Sequence, residues 1–466
     1  MKGSERFPKV FKVLCAVEVW ERFSFYLMKT LLALYLFARL GFTEDSANLL
    51  VGYYVTAVYL APIPGGWFAD ARLGYFTAAG LGGIVMALGH VAMTVESRTA
   101  LFLALGLVVV GNGFFKPSMQ AMLRGAFVGH SNELYSRGQS VFYLGINAGA
   151  AAAVGAAALL RKLWGWHVAF GSAAIGLGIG LVIMAYYRKD LAPLAGAAIE
   201  TEEIREGPAE PDEGQKWGRV AVVLALTLFA AAFWAGFHQD GGPLQFFALH
   251  SVRRGSIPPE MFNQINPVCV LVLTIPLVWF FARFRVSPTT KFALGLAISS
   301  ASWALLTVFA SRGRVSPWWL VAYYIGETVA ELLLSPNGNA IVGKIAPKGW
   351  VARLQGVWLA SSAIGGWAAG QIGAKWSVWS HRTFFGVFVV ICGVAALVVL
   401  LFRKRLDDLI VDSRVEDETR HARKHMRVVV EAGEDIRAGE VAFLNKEGRA
   451  ASYCSVVRGV YGPGRS

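Results

Sequence analysis

Apolar stretches of about 20 residues recur along this chain, each long enough to cross a hydrocarbon core of about 30 Å as an α-helix. No other feature constrains it as strongly. A crossing segment has no water to bond its backbone, and a helix satisfies those groups within the segment itself. A transmembrane barrel would instead show alternating segments of about ten residues. The 466 residues are 55% hydrophobic and 16% charged, with mean hydropathy +0.49, whereas soluble domains carry charge near about 25%. The expected fold is an all-α membrane protein with twelve transmembrane helices, over 10–38, 46–69, 75–95, 99–122, 135–160, 163–187, 218–249, 260–284, 289–311, 316–345, 350–377 and 381–402. No cleavable signal peptide is expected, because the first apolar segment is itself a full span containing charges.

Lysine and arginine set the expected orientation. With the N-terminus in the cytoplasm, the inner side collects Lys9, Lys12, Arg72, Arg124, Arg188, Lys189, Lys216, Arg219, Arg283, Arg285, Lys291, Lys344, Lys348 and Arg403 to Arg405. The outer loops hold fewer, such as Arg98, Arg161, Arg253 and Arg312. This asymmetry follows the positive-inside rule and puts both termini in the cytoplasm, with the protein in the inner (plasma) membrane. The net charge of +13 is then a topology signal. No basic run with interleaved aromatics stands outside the spans, so no nucleic-acid partner is expected. Cys15, Cys269, Cys392 and Cys454 are far apart and suggest neither a disulfide framework nor a metal site. His421 and His425 lie four apart, but among Arg420, Arg423 and Lys424 they read as a solvated face.

Composition changes over 190–217, where "EGPAEPDEGQK" is acidic and rich in Gly and Pro. It reads as a cytosolic linker between two six-helix bundles, 1–189 and 218–405. Residues 406–466 form a polar cytosolic tail, either partly disordered or a small β element, with two β-like runs around a turn in 426–448. Two bundles joined this way suggest a transporter with its site between the halves near mid-membrane. A channel, or an enzyme with many helices, is the alternative at this level.

Within the first span, "VEVWERFSFY" places Glu18, Glu21, Arg22 and, a little later, Lys29 on one helical face. A charge at mid-bilayer costs at least about 3 kcal/mol, so such a stripe must face an aqueous cavity or partners inside the bundle. A cluster that only pins helices together would be the structural explanation. Other spans carry matching groups: Lys116 in "GNGFFKPSM", Asn147 in "FYLGINAGA", His238 and Asp240 in "FWAGFHQDGG", Asn266 in "INPVCV", and Glu327 and Glu331 in "ETVAELLLSPNG". The first half supplies excess cation and the second supplies Glu331. A cavity positive on one wall and negative on the other suits a zwitterion with separated charges, such as a short peptide. Tyr26, Tyr59, Trp234 and Trp358 could form its apolar walls, or simply pack their spans.

These motifs resemble the proton-coupled oligopeptide transporter family, a branch of the major facilitator superfamily. "EVWERFSFY" is similar to the family's E-x-x-E-R-F-x-Y-Y signature, with Phe25 replacing one tyrosine. "YLAPIPGGWFAD" with "RLG", "GNGFFKP", "FYLGINAGA", "FWAGFHQ", "INP" and "ELLLSPNG" follow in the family's order, over roughly residues 10–403. The resemblance implies a major facilitator fold and import of di- and tripeptides by alternating access, driven by a proton gradient without any cofactor, by a functional monomer. It implies that Glu18, Glu21 and Arg22 take part in proton coupling. It also implies that Arg22, Lys29 and Lys116 attract the peptide carboxylate, with Lys29 standing where many relatives have arginine. Glu331 would hold the amine, Asn147, Asn266 and Ser335 would line the substrate site, and Tyr26, Tyr59, Trp234 and Trp358 would shape the pocket. Asp70 would belong to a cytoplasmic gate, in a loop where Tyr75 and Phe76 replace the usual basic residues.

The chain departs from the family at His238, where a glutamate tied to proton movement usually stands. Histidine can carry a proton near neutral pH, with an unperturbed pKa of about 6.5, so His238 is expected to join Glu18, Glu21 and Arg22 in proton coupling, but with inverted charge logic, since the protonated form is a cation. On an unbroken helix Asp240 would lie about 200° away and could not take the glutamate's place. Many bacterial relatives also insert two helices between the halves, for which the linker here is too short and polar. Three rival readings follow: a carrier of another small anion, amino acid or peptide-like compound; a proton-uncoupled peptide sensor; and an enzyme. No HExxH, GxSxG or CxxC is present to support the last.

Overall fold

The computed structural model describes residues 6–194, 213–284, 286–310, 313–347, 350–431, 442–444 and 450–452. Most of the expected linker, much of the tail, Arg285, Arg312, Lys348 and Cys454 lie outside the described residues. The long helices are α1 (Lys9–Ala38), α2 (Glu44–Leu73), α3 (Tyr75–Ala92), α4 (Arg98–Gly125), α5 (132–164) and α6 (166–186). They continue as α7 (Glu213–Phe237), α8 (Ile265–Arg283), α9 (Pro288–Phe309), α10 (Pro317–Ile345), α11 (Val351–Gly373) and α12 (His381–Glu431). The continuous run Asn132–Tyr186 counts as two helices because Gly165 breaks it at φ 85°, a conformation that favours glycine.

Eight of the helical runs among the described residues are long and apolar enough to cross a membrane. Dividing the longest at Gly165, and adding α1, α10 and α11, gives twelve segments of membrane length. Those three carry the buried ionisable stripe, the Glu327–Glu331 pair and a serine- and glycine-rich sequence, so polarity and not length sets them apart.

Local chemistry fixes several boundaries. Thr43, Ser97, Ser131 and Ser287 each accept a backbone N–H of the first turn of α2, α4, α5 and α9, satisfying a donor that the helix leaves free. α2 ends in a π-helical turn, Ala69–Leu73, that holds Asp70 exposed. The expected span 218–249 is not one helix. It ends at Phe237, tightens into a 3₁₀ turn at His238–Gly241, and restarts as Pro243–Ser251. In the tail, the first of the two β-like runs continues α12 to Glu431, since extending a formed helix is easier than nucleating new structure. A short antiparallel pair, Ala442–Leu444 with Ala450–Ser452, follows it.

Helix α1 packs along α5 and α6, and α3 along α4; α9 packs along α10 and α12, and α7 along α11. α2 meets α11 and α5 meets α8 across the middle of the molecule. We name the face where α1 begins the near face, and the face carrying the α1–α2 loop the far face. On the far side a single apolar core runs through both sets of helices, from Leu31 and Phe170 to Phe246 and Phe385. On the near side there are two cores. One is built only from α1–α6 and the short turn after them, around Phe11, Phe115 and Leu123. The other is built only from α7–α12, around Phe233, Phe292 and Ile341. The molecule is joined at its far face and parted toward its near face.

Candidate functional site

The charged stripe on α1 is buried. Glu18, Glu21, Arg22 and Lys29 are all at most 7% exposed. Arg22 donates to both oxygens of Glu21 at 2.5 Å and stands 3.7 Å from Glu18. Lys116, from α4, donates to Glu18. The Arg22 guanidinium also lies 4.7 Å from the centre of the Phe25 ring. Two cations and two carboxylates thus balance inside the first six helices, as a desolvated cluster requires.

Lys29 leaves this cluster. Its Nζ lies 3.1 Å from both oxygens of Asp240, across the interface between the two sets of helices. An unbroken helix would put Asp240 on another face from His238, but here both line one cavity. The helix tightens to 3₁₀ at His238, and the Gly241–Gly242–Pro243 break swings the carboxylate toward α1. Asn263 donates to the Asp240 carbonyl at 2.9 Å, and Tyr324 on α10 donates to Asn263 at 2.8 Å, so the turn is tied through Asn263 to α10.

Asp240 and Lys29 border a cavity of about 190 Å³. Tyr26, Tyr59, Asn147, Trp234, His238, Asn266, Glu331 and Ser335 line it as well. From α10, Glu331 also lines the cavity, accepting from Asn266 Nδ2 at 2.9 Å and from Tyr143 OH at 3.2 Å. Asn266 is itself aligned by Thr328, 3.1 Å away. His238 is buried, with Nε2 3.2 Å from Ser362 Oγ and its ring stacked on Trp234 at 5.6 Å. Tyr59 approaches the same imidazole at 5.8 Å.

The remaining candidates lie elsewhere. Glu18, Glu21, Arg22 and Lys116 sit in the paired cluster beside the cavity and do not line it. Trp358 is in the near-side core of α7–α12, against Phe292 at 6.0 Å and filling the space beside Gly338. Asp70 is exposed at the near end of α2. Sequence reasoning missed Tyr143, Asn263 and the part played by Asp240. Tyr143 lies four residues before Asn147 and so shares its helical face, which was the available signal.

A helical membrane protein with a charged chamber enclosed between two sets of helices, joined on one face only, is built as a solute carrier. The POT family model matches residues 76–189 and 197–391, and the chain belongs to that family. It is 26% identical to the dipeptide and tripeptide permease A of Proteus mirabilis, over 84% of this chain and 94% of that one. It is 28% identical to the peptide transporter YePEPT of Yersinia enterocolitica, over 76% and 85%. Among solved structures, it is similar to a mutant of the peptide transporter POT in complex with alafosfalin, with a TM-score of 0.77, 26% identity, and coverage of 86% of this chain and 96% of that one.

Proposed function

We propose that the protein is a proton-coupled carrier of di- and tripeptides that works as a monomer by alternating access. The observation that carries this reading is the cavity with Lys29 on one wall and the hydrogen-bonded Glu331 on the other. The separated charges match the two ends of a short peptide. The peptide amine pairs with Glu331, while Asn147, Asn266 and Ser335 offer hydrogen bonds along its length. Tyr26, Tyr59 and Trp234 accept its side chains. The carboxylate engages Lys29 as the Lys29–Asp240 pair opens, with Arg22 and Lys116 adding positive potential from behind.

Proton binding to Asp240, or within the Glu18–Glu21 cluster, frees the paired cations, and proton loss restores the pairs. In this chain the carboxylate of the seventh helix is Asp240, two residues beyond His238, and the histidine, stacked on Trp234, serves as a wall of the pocket. The near face is cytoplasmic, in keeping with the lysine and arginine distribution. The described conformation is then the one that releases substrate inward, and Asp70 belongs to the gate of the opposite conformation. Relatives named dipeptide and tripeptide permeases support the substrate class.

Uptake of a labelled dipeptide into proteoliposomes, with and without an imposed pH gradient, tests the reading. Gradient-driven accumulation is expected in the wild type and its loss in Glu331→Gln. Full uptake by Glu331→Gln would overturn the assignment of the amine site.

A further inference from the structure

Glu327 lies on α10, one helical turn before Glu331, and the transport cycle above does not use it. Its side chain is 2% exposed and does not line the cavity. One carboxyl oxygen accepts from Ser299 Oγ on α9 at 2.8 Å. The other, Oε2, has no hydrogen-bond partner among the described residues. Behind Ser299, the Cys392 sulfur on α12 stands 3.7 Å from the same hydroxyl.

The titratable groups that face Glu327 are Glu331 and Tyr323 on its own helix and Cys392 on α12, while α9 offers only the Ser299 hydroxyl. None of them is a cation. A carboxylate there would hold one hydrogen bond and no counter-charge from these groups. Glu331 differs in its surroundings: it lines the cavity and accepts from two donors, Asn266 and Tyr143. Two carboxyls one turn apart, one facing the cavity with two donors and the other enclosed with one, can divide the roles of acid and base. Cβ atoms four residues apart on a helix are separated by only about 5–6 Å.

We propose that Glu327 is a proton-binding site that fills and empties through Glu331. A proton reaching a Glu331 oxygen from the cavity passes to Glu327 Oε2. Glu327 becomes the neutral acid, Glu331 returns to the carboxylate, and no charge is created. The amine-binding carboxylate is thereby kept ionised while the proton stays bound one turn away. Proton and peptide amine occupy the carrier together without competing for one group. This rests on Glu331 as the amine site.

The test uses the full chain in proteoliposomes and compares wild type with Glu327→Gln and Glu327→Asp. Counterflow of alanyl-alanine without a gradient should stay within about twofold in Glu327→Gln, while accumulation should fall about tenfold per pH unit imposed, the contribution of one coupled proton. Glu327→Asp, still an acid, should recover accumulation. Accumulation by Glu327→Gln equal to wild type would overturn the proposal. A second readout does not need transport. N,N′-dicyclohexylcarbodiimide attacks protonated carboxyls in apolar surroundings, so mass spectrometry of the wild type should find the adduct on Glu327 and see it decline as pH rises. Absent or pH-independent labelling overturns the proposal, and this readout decides if Glu327→Gln loses counterflow as well. A wild type that carries no dipeptide at all, yet labels at Glu327 with pH dependence, would sink the peptide reading alone.

Discussion

At the scale of single residues, the informative pair is His238 and Asp240. His238 bonds to Ser362 and stacks on Trp234, whereas Asp240 holds Lys29 with both oxygens. Only the second contact links the two sets of helices by charge. Asp240→Asn leaves the buried Lys29 without its counter-charge, and breaking such a pair is far costlier than losing one neutral hydrogen bond. Dipeptide uptake should therefore fall tenfold or more in Asp240→Asn, over about 1.4 kcal/mol, and change less than about threefold in His238→Gln. The reverse order in a transport assay would return the coupling role to the histidine. Trp358 gives a contrasting case. Packed against Phe292 in a core and not at the cavity wall, its truncation to alanine should lower thermal stability, by about 3 kcal/mol or more, and leave the apparent peptide affinity unchanged. A fluorescence-detected melting curve alongside a binding isotherm separates these effects.

At the scale of helices, most of the layout was legible in sequence, because hydrophobic length is read directly by the membrane. What sequence could not reveal depended on breaks in helical phase. The angle separating Asp240 from its neighbours assumed an unbroken helix, and Gly241, Gly242 and Pro243 were the signs that it would not continue. Lys116 was legible as a cation within a span but not as the partner of Glu18, since pairing across helices depends on how α1 and α4 dock. A close backbone approach across the two halves was equally hidden. A Cβ on Gly52 of α2 would lie 2.3 Å from the Gly370 Cα of α11, so only glycine lets these backbones meet. Gly52→Leu should wedge the two helices apart at the far face. Cysteines introduced along the far half of the cavity should then become reactive to a membrane-impermeant thiol reagent from that side, while protection equal to wild type would show that the contact is dispensable.

At the scale of the whole molecule, one shared core on the far side and two separate cores on the near side define a closed end and an open end. Alternating access requires the far closure to be reversible, so the bonds that hold it must be few and specific. Several cross from one half to the other there. Glu44 accepts from Trp376 Nε1 at 2.8 Å and meets His250 at the same distance; Asp45 accepts from the Ser377 N–H at 2.9 Å; Asn48 donates to the Gly373 carbonyl at 3.1 Å. The ion pair Arg161–Glu260 joins these links, its carboxylate buried and its guanidinium partly exposed. Arg161 Nε donates to Glu260 Oε1 at 2.6 Å, the Glu260 side chain is fully buried, and the guanidinium lies 5.2 Å from the Trp166 ring. Opening the far face exposes Glu260 to water, whereas closing it desolvates the carboxylate against a single arginine. Removing only the cation should therefore favour the open form, by as much as about 3 kcal/mol for a buried pair that loses one partner. Spin labels in the α1–α2 loop and at Gly255 should report a longer distance distribution in Arg161→Met than in wild type. Arg161→Met combined with Glu260→Gln removes both charges and should return the distribution toward the closed distance. If the single and double variants match, the pair does not act as a latch, and closure of the far face rests on the apolar core around Phe246 and on the α2–α11 contact.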